Sequence, residues 1–154
     1  MDINFGRTAS DYAKHRAGFP SEFFERIQGL GLIPNGTRLL DLGTGTGTIA
    51  RGMAQRGCIV SALDISDSLI ATAQELDQQV GVDIQYHIAS AEKTGFADES
   101  FEIVTAGQCW HWFDGDKAAN EVRRILVPEG HVIIAHFDWI PLEGNMVAGT
   151  EALI

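Results

Sequence analysis

Hydrophobic and polar residues switch along this chain between two periods, and the switches predict its elements. Phe23, Phe24, Ile27 and Leu30 recur at helical spacing across residues 20–31, with Pro20 suited to a first turn and Gly31 to a stop. After the turn Pro34-Asn35-Gly36, residues 38–42 are a short apolar run that reads as a first strand. The run halts at Gly43-Thr44-Gly45-Thr46-Gly47, and a helix follows to Gln55 with Ile49, Ala50, Met53 and Ala54 on one face. Residues 58–64 form a second strand, apolar at successive positions like a central parallel strand, and it finishes on Asp64.

The same alternation continues. Ser66 or Asp67 caps a helix whose Leu69, Ile70, Ala73, Leu76 and Val80 face inward, and Gly81 closes it. Ile84, Tyr86 and Ile88 alternate with Gln85 and His87, which predicts a third strand, half buried and near a sheet edge. A polar loop over residues 90–100 leads into a fourth strand at 101–106, whose carboxyl end carries Gln108-Cys109-Trp110-His111-Trp112-Phe113. Asp114 or Asp116 caps a helix that buries Ala118, Ala119, Val122, Ile125 and Leu126, and Pro128-Glu129-Gly130 turns the chain into a fifth strand over 131–137. Strand and helix alternating in this way predict an α/β fold, a doubly wound, mostly parallel sheet with helices on both faces. Residues 20–137 make up that domain, residues 1–19 an arm laid over it, and residues 138–154 the start of a segment that is cut short.

The glycine stretch carries the first candidate chemistry. Glycine permits positive φ and lets a ligand lie against the main chain, and the helix that follows aims unpaired N–H groups at the same space. Two registers compete. Gly45-x-Gly47-x-x-Ala50, with Asp64 about 20 residues on, satisfies a loose dinucleotide fingerprint. Asp41-x-Gly43-x-Gly45-x-Gly47 instead places an acid at the end of the strand, where a carboxylate repels pyrophosphate and attracts an ammonium or sulfonium group. The second register favours a cationic cofactor.

Composition narrows the classes. A chain of 154 residues, 45% hydrophobic, suits one domain with a core of its own. Its formal charge of -10 repels nucleic acid, and Arg123-Arg124 is too small to make a basic face. Cys58 and Cys109 lie far apart in apolar, strand-like contexts, as reduced thiols do, and no metal-ligand spacing occurs. No apolar stretch is long enough to cross a bilayer and the first residues lack a signal-peptide layout, so a cytoplasmic protein is expected.

Taken with these motifs, residues 5–154 resemble the class I S-adenosylmethionine-dependent methyltransferases, in the small-molecule branch known as methyltransferase type 11. The resemblance implies a Rossmann-like sheet and S-adenosyl-L-methionine as cofactor. Leu39 to Gly47 looks like the family's first motif, with Asp41 near the methionine ammonium and Gly43, Thr44, Gly45 and Gly47 against the cofactor. Asp64 stands where the family's acid grips both ribose hydroxyls, and Ile65 where adenine is packed. Ala91 and Glu92, with Phe96, Asp98, Ser100 and Phe101, are similar to its adenine loop. Tyr12 and Arg16, with Phe19-Pro20, match its N-terminal signature, which would bring Arg16 to the methionine carboxylate. Glu121 to Gly130 resembles the helix and turn before its fifth strand. Ser90, Gly95 and Ala17-Gly18 depart from the family pattern.

Methyl transfer to a small-molecule acceptor is then the expected activity. The displacement needs alignment more than a catalytic triad, and a base near pKa 7 helps if the acceptor is a hydroxyl or an acidic carbon. His111 is the candidate base and Gln108 a polar contact to cofactor or acceptor. Trp110, Trp112 and Phe113 either flank the methyl group or fill the core. Cys109 lacks a neighbouring base and is no nucleophile, while His131 and His136 read as structural. The alternative is a cofactor-binding domain without activity of its own; a nicotinamide-dependent oxidoreductase is less favoured. The family carries two more strands after the fifth, in a reversed hairpin, so the apolar edge at Val132-Ile133-Ile134-Ala135 is expected to lack its partner. That edge is expected to pair with the same edge of another copy, to be covered by the tail, or to aggregate.

Overall fold

The computed structural model describes residues 18–137; the expected arm as far as residue 17 and the tail beyond Phe137 lie outside them. Helix α1 (Ser21–Gly29) precedes β1 (Arg38–Leu42), α2 (Thr48–Ala54), β2 (Ile59–Asp64), α3 (Asp67–Val80) and β3 (Ile84–Ile88). The second half runs through β4 (Phe101–Gly107), a 3-10 turn at Trp110–Trp112, α4 (Gly115–Ile125) and β5 (Leu126–Ala135). All described strand pairs are parallel, in the order β3-β2-β1-β4-β5. The doubly wound fold expected from the alternation is the one observed.

Apolar patterning decides the layers. Leu39, Leu40 and Leu42 in β1 are fully buried, because helices cover both faces of this central strand. Phe24, Ile27, Ile49, Met53 and Val60 gather with Leu39 on the face under α1 and α2. Leu40, Leu42, Val104, Val122 and Ile125 gather on the other, under α4. Each such side chain contributes roughly 1.5–3 kcal/mol by leaving water. Helices α1 and α2 approach closely at Gly52, where a Cβ would fall 2.3 Å from the Phe24 ring.

Caps choose among the sequence alternatives. Ser66, not Asp67, caps α3 by accepting from the Leu69 amide, and Asp114, not Asp116, caps α4 by accepting from Lys117. Gly81 ends α3 in the left-handed conformation. One expectation needs correction. Pro128-Glu129-Gly130 is not a link before the fifth strand but an irregularity inside it: β4 from Phe101 to Ile103 faces β5 from Leu126 to His131, with Glu129 at φ 62. The fourth strand closes at Gly107, one residue past its expected end, and the aromatic stretch lies beyond it. Gln108 turns at φ 60, and the 3-10 turn sends Trp110 and Trp112 different ways.

β3 is the half-buried edge strand that its alternation predicted, and among the described residues β5 pairs with β4 alone, leaving Val132 and Ile134 exposed. No described helix is long and apolar enough to cross a membrane.

Candidate active site

Strand order reverses between β1 and β4, and the crevice such a reversal leaves at the carboxyl ends is where open α/β sheets bind ligands. A cavity of about 650 Å³ lies there, within the usual range for small-molecule sites. Gly43 to Thr46 enter it from β1, Asp64 and Ile65 from β2, Gly107 to Cys109 and His111 to Phe113 from β4, and His136 and Phe137 from β5.

The three glycines have different neighbours. All take positive φ, at 56° for Gly43, 57° for Gly45 and 78° for Gly47. A Cβ at Gly43 would meet Cys109 and Phe113 at 3.0–3.2 Å, and one at Gly47 would fall 2.6 Å from the Tyr86 hydroxyl. A Cβ at Gly45 would meet nothing within 4 Å. Gly43 and Gly47 are therefore glycines because protein packs against them, while Gly45 alone of the three opens toward empty space.

Hydrogen bonds lock this loop to its surroundings. Thr44 N–H donates to the Leu63 carbonyl at 2.9 Å, and Gly45 N–H donates to Asp64 Oδ2 at 2.8 Å. Ser66 N–H donates to Asp64 Oδ1 at 2.9 Å, so both carboxylate oxygens are oriented by amides and retain lone pairs for a ligand. Asp64 is the only carboxylate among the described lining residues, and Arg51 the only guanidinium.

Asp41 sits beneath the loop rather than in the cavity wall. Thr44 Oγ1 donates to its Oδ2 at 2.7 Å, and Thr105 Oγ1, from β4, donates to its Oδ1 at 2.6 Å. Burial pushes the carboxyl up to about 6 against the opposing pull of those hydroxyls. Its charge reaches the cavity through the loop above it, not by contact.

Gly43, Thr44, Gly45, Asp64, Ile65, Gln108 and His111 thus converge on one cavity, as the sequence reading expected. Gly47 and Asp41 support it from below. Ala91 and Glu92 do not line it: Ala91 is buried with the α4-side core, and Glu92 Oε1 accepts from the Asp114 amide at 2.9 Å. Other polar groups of that loop also point to α4. Thr94 donates to Glu121, and Arg124 holds Asp98 at 2.6 Å and the Phe96 carbonyl at 2.8 Å. Tyr12 and Arg16 lie outside the described residues.

His136, expected from the sequence to be structural, is a wall residue and meets His111 with ring centroids 5.5 Å apart. It stands just past the carboxyl end of a parallel strand, the same signal that singled out His111. Trp112 and Phe113 join the wall, while Trp110 packs edge-on against Phe113 at 5.8 Å and stays out of the cavity. Cys109 is buried and donates to the Leu42 carbonyl at 3.2 Å. Among the described residues no group of His, Cys, Asp and Glu could hold a metal.

Comparison with known proteins accords with this geometry. A methyltransferase domain family matches residues 40–134. An uncharacterized methyltransferase of Mycobacterium bovis is 33% identical over 133 residues, which are 86% of this chain and 51% of that protein. A ubiquinone biosynthesis O-methyltransferase of Alkalilimnicola ehrlichii is 33% identical over 65% of this chain and 41% of its own length. The chain spans about half the length of such relatives. Among solved structures, the YcgJ protein of Bacillus subtilis superposes with a TM-score of 0.64 at 27% identity, covering 71% of this chain and 50% of that one. The cyclase SpnF shares the fold alone, at a TM-score of 0.68 and 24% identity, covering 77% of this chain and 47% of its own. With the family match spanning most of the sheet, and with the glycine loop and Asp64 at its switch point, the chain belongs to the class I S-adenosylmethionine-dependent methyltransferases.

Proposed function

We propose that this chain binds S-adenosyl-L-methionine in the cavity over β1, β2 and β4, for transfer of a methyl group to a small-molecule acceptor. The observation that carries this reading is the pairing of a preoriented Asp64 carboxylate with the open face of Gly45, a cradle that a Cβ would fill. Asp64 would accept from the ribose hydroxyls, and Ile65, 73% exposed beside it, offers an apolar surface to adenine. The bound cofactor would supply an activated methyl group on a sulfonium.

The chain's own residues supply alignment and a proton acceptor. Phe19, Trp112, Phe113 and Phe137 give the cavity an apolar wall, while the His111 imidazole can take a proton from an acidic hydroxyl or carbon. Gln108, with its side-chain amide 3.5 Å from the Phe137 carbonyl, is a further polar contact. The likeness to an O-methyltransferase of ubiquinone biosynthesis supports a small-molecule acceptor. Cys58 and Cys109, both buried and neither in a disulfide, suit the cytoplasm.

Titration calorimetry with S-adenosyl-L-methionine, its demethylated product and NADH tests the reading. Binding of the first two and not the third is expected; the reverse pattern sinks it. A second reading is cofactor binding without methyl transfer, since one fold serves several chemistries and a cyclase shares this one. Tight binding with no methyl transfer over a panel of hydroxyl, amine and thiol acceptors would establish that second reading.

A further inference from the structure

Three polar side chains from three elements meet beneath the glycine loop, and the binding reading leaves them unused. Arg51 of α2 donates from Nε to Asp77 Oδ1 of α3 at 2.7 Å. The Tyr86 hydroxyl of β3 donates to Asp77 Oδ2 at 2.8 Å. Asp77 is 4% exposed, so this is a buried ion pair, an arrangement that on average adds little stability over apolar packing and calls for another reason.

The other edge of Arg51 supplies it. Its Nη2 donates to the Ala73 carbonyl at 3.1 Å and to the Thr46 carbonyl, inside the loop, at 2.9 Å. Joining α2 to α3 requires no bond to Thr46. Because the peptide is planar and trans, its carbonyl and the following N–H point opposite ways. With the Thr46 carbonyl held by Arg51, the Gly47 N–H is aimed at the Thr44 carbonyl, 2.9 Å away. The Thr46–Gly47 peptide is thereby pinned at both ends. Tyr86 and Arg51 also fill the space where a Gly47 side chain would start.

We propose that Arg51, Asp77 and Tyr86 are positioning residues for the cofactor: a buried brace that holds the Thr46–Gly47 peptide so that Gly45 keeps its amide on Asp64 and its face open. The inference rests on the proposal that the cavity takes S-adenosyl-L-methionine. Tyr86 lies outside the cavity wall, so its effect on a ligand must pass through Asp77, Arg51 and the loop.

Tyr86→Phe, which removes one hydroxyl, is the decisive variant. Arg51→Lys keeps the charge but loses the planar fork that reaches three acceptors. Ile27→Val, in the core under α1, is a control that lowers stability without touching the loop. Calorimetry at 25 °C, well below each melting temperature, should show Tyr86→Phe weakening the affinity for S-adenosyl-L-methionine about five- to tenfold. Ile27→Val should leave it unchanged, and Asp77→Asn should lose less than Asp77→Ala. Hydrogen exchange at the Gly47 amide of the ligand-free protein should speed up in Tyr86→Phe and not in Ile27→Val. If the unaltered protein binds the cofactor and Tyr86→Phe binds it as well as the control does, the brace is overturned. If the unaltered protein does not bind it, the functional proposal fails and the cofactor role with it, and the Gly47 exchange rate decides only whether the three residues brace the loop: faster exchange in Tyr86→Phe upholds that and an unchanged rate overturns it.

Discussion

The Gly45 amide donates to the Asp64 carboxylate at 2.8 Å, so the acid at the end of β2 and the loop at the end of β1 form one unit. The acid that would hold a ribose is also a strut of the loop that would hold the rest of the ligand. Removing it is felt twice.

Asp64→Ala should therefore weaken the binding of S-adenosyl-L-methionine by about tenfold to several hundredfold, since hydrogen bonds to a charged group contribute about 1.5–3 kcal/mol. Calorimetry on the folded variant measures this. An affinity within a factor of two of the parent would remove Asp64 from the ligand.

Gly45 and Gly47 should fail differently on substitution by alanine. Both pay for a left-handed backbone, about 1–2 kcal/mol, but only at Gly47 does the new Cβ collide, with the Tyr86 hydroxyl 2.6 Å away. Gly47→Ala should lose more stability in a urea melt, and Gly45→Ala should lose more cofactor affinity, because its Cβ enters the open space. Equal losses on both axes would contradict the assignment.

His111→Ala should leave cofactor affinity nearly intact while slowing methyl transfer about 10²- to 10⁴-fold on an acceptor with an acidic proton. Single-turnover rates beside calorimetric affinities make the comparison. An unchanged rate would reduce His111 to a wall residue and leave the family unaffected.

Asp41 should make the ligand-free protein's stability fall as pH rises. Its carboxyl, ordinarily at 3.8, is raised to about 6 by burial, so between those values the folded state binds more protons than the unfolded one. Asp41's contribution is thus fully present below pH 4 and lost as pH climbs through about 6, by up to about 3 kcal/mol. Asp41→Asn, which keeps partners for both threonines, should gain stability over the parent between pH 4 and 7 and hold a constant difference above that. Urea melts across this range would show a flat difference if the buried carboxyl were not the cause.

Local pattern alone fixed much of the fold. β1 and β3 occupy the residues their apolar runs marked, 38–42 and 84–88, and Gly81 stops α3 where it was expected to. These are features of neighbours in sequence: an apolar period, a cap, a glycine able to take positive φ. The strand ends and the family resemblance together also marked Gly43, Gly45, Asp64, Ile65, Gln108 and His111, and all six line one cavity at the carboxyl ends of the strands. What the sequence left open depended on residues remote in the chain. Thr105 reaches Asp41 across 64 residues and draws it under the loop, and the bonds from Arg124 and Glu121 turn the 90s loop toward α4, with Ala91 and Glu92 off the cavity wall. His136 joins His111 because β5 lies beside β4, and Gly47 is closed off by Tyr86 from the far edge of the sheet. No window of sequence contains both members of such a pair; only the strand order, set by burying two apolar faces at once, brings them together.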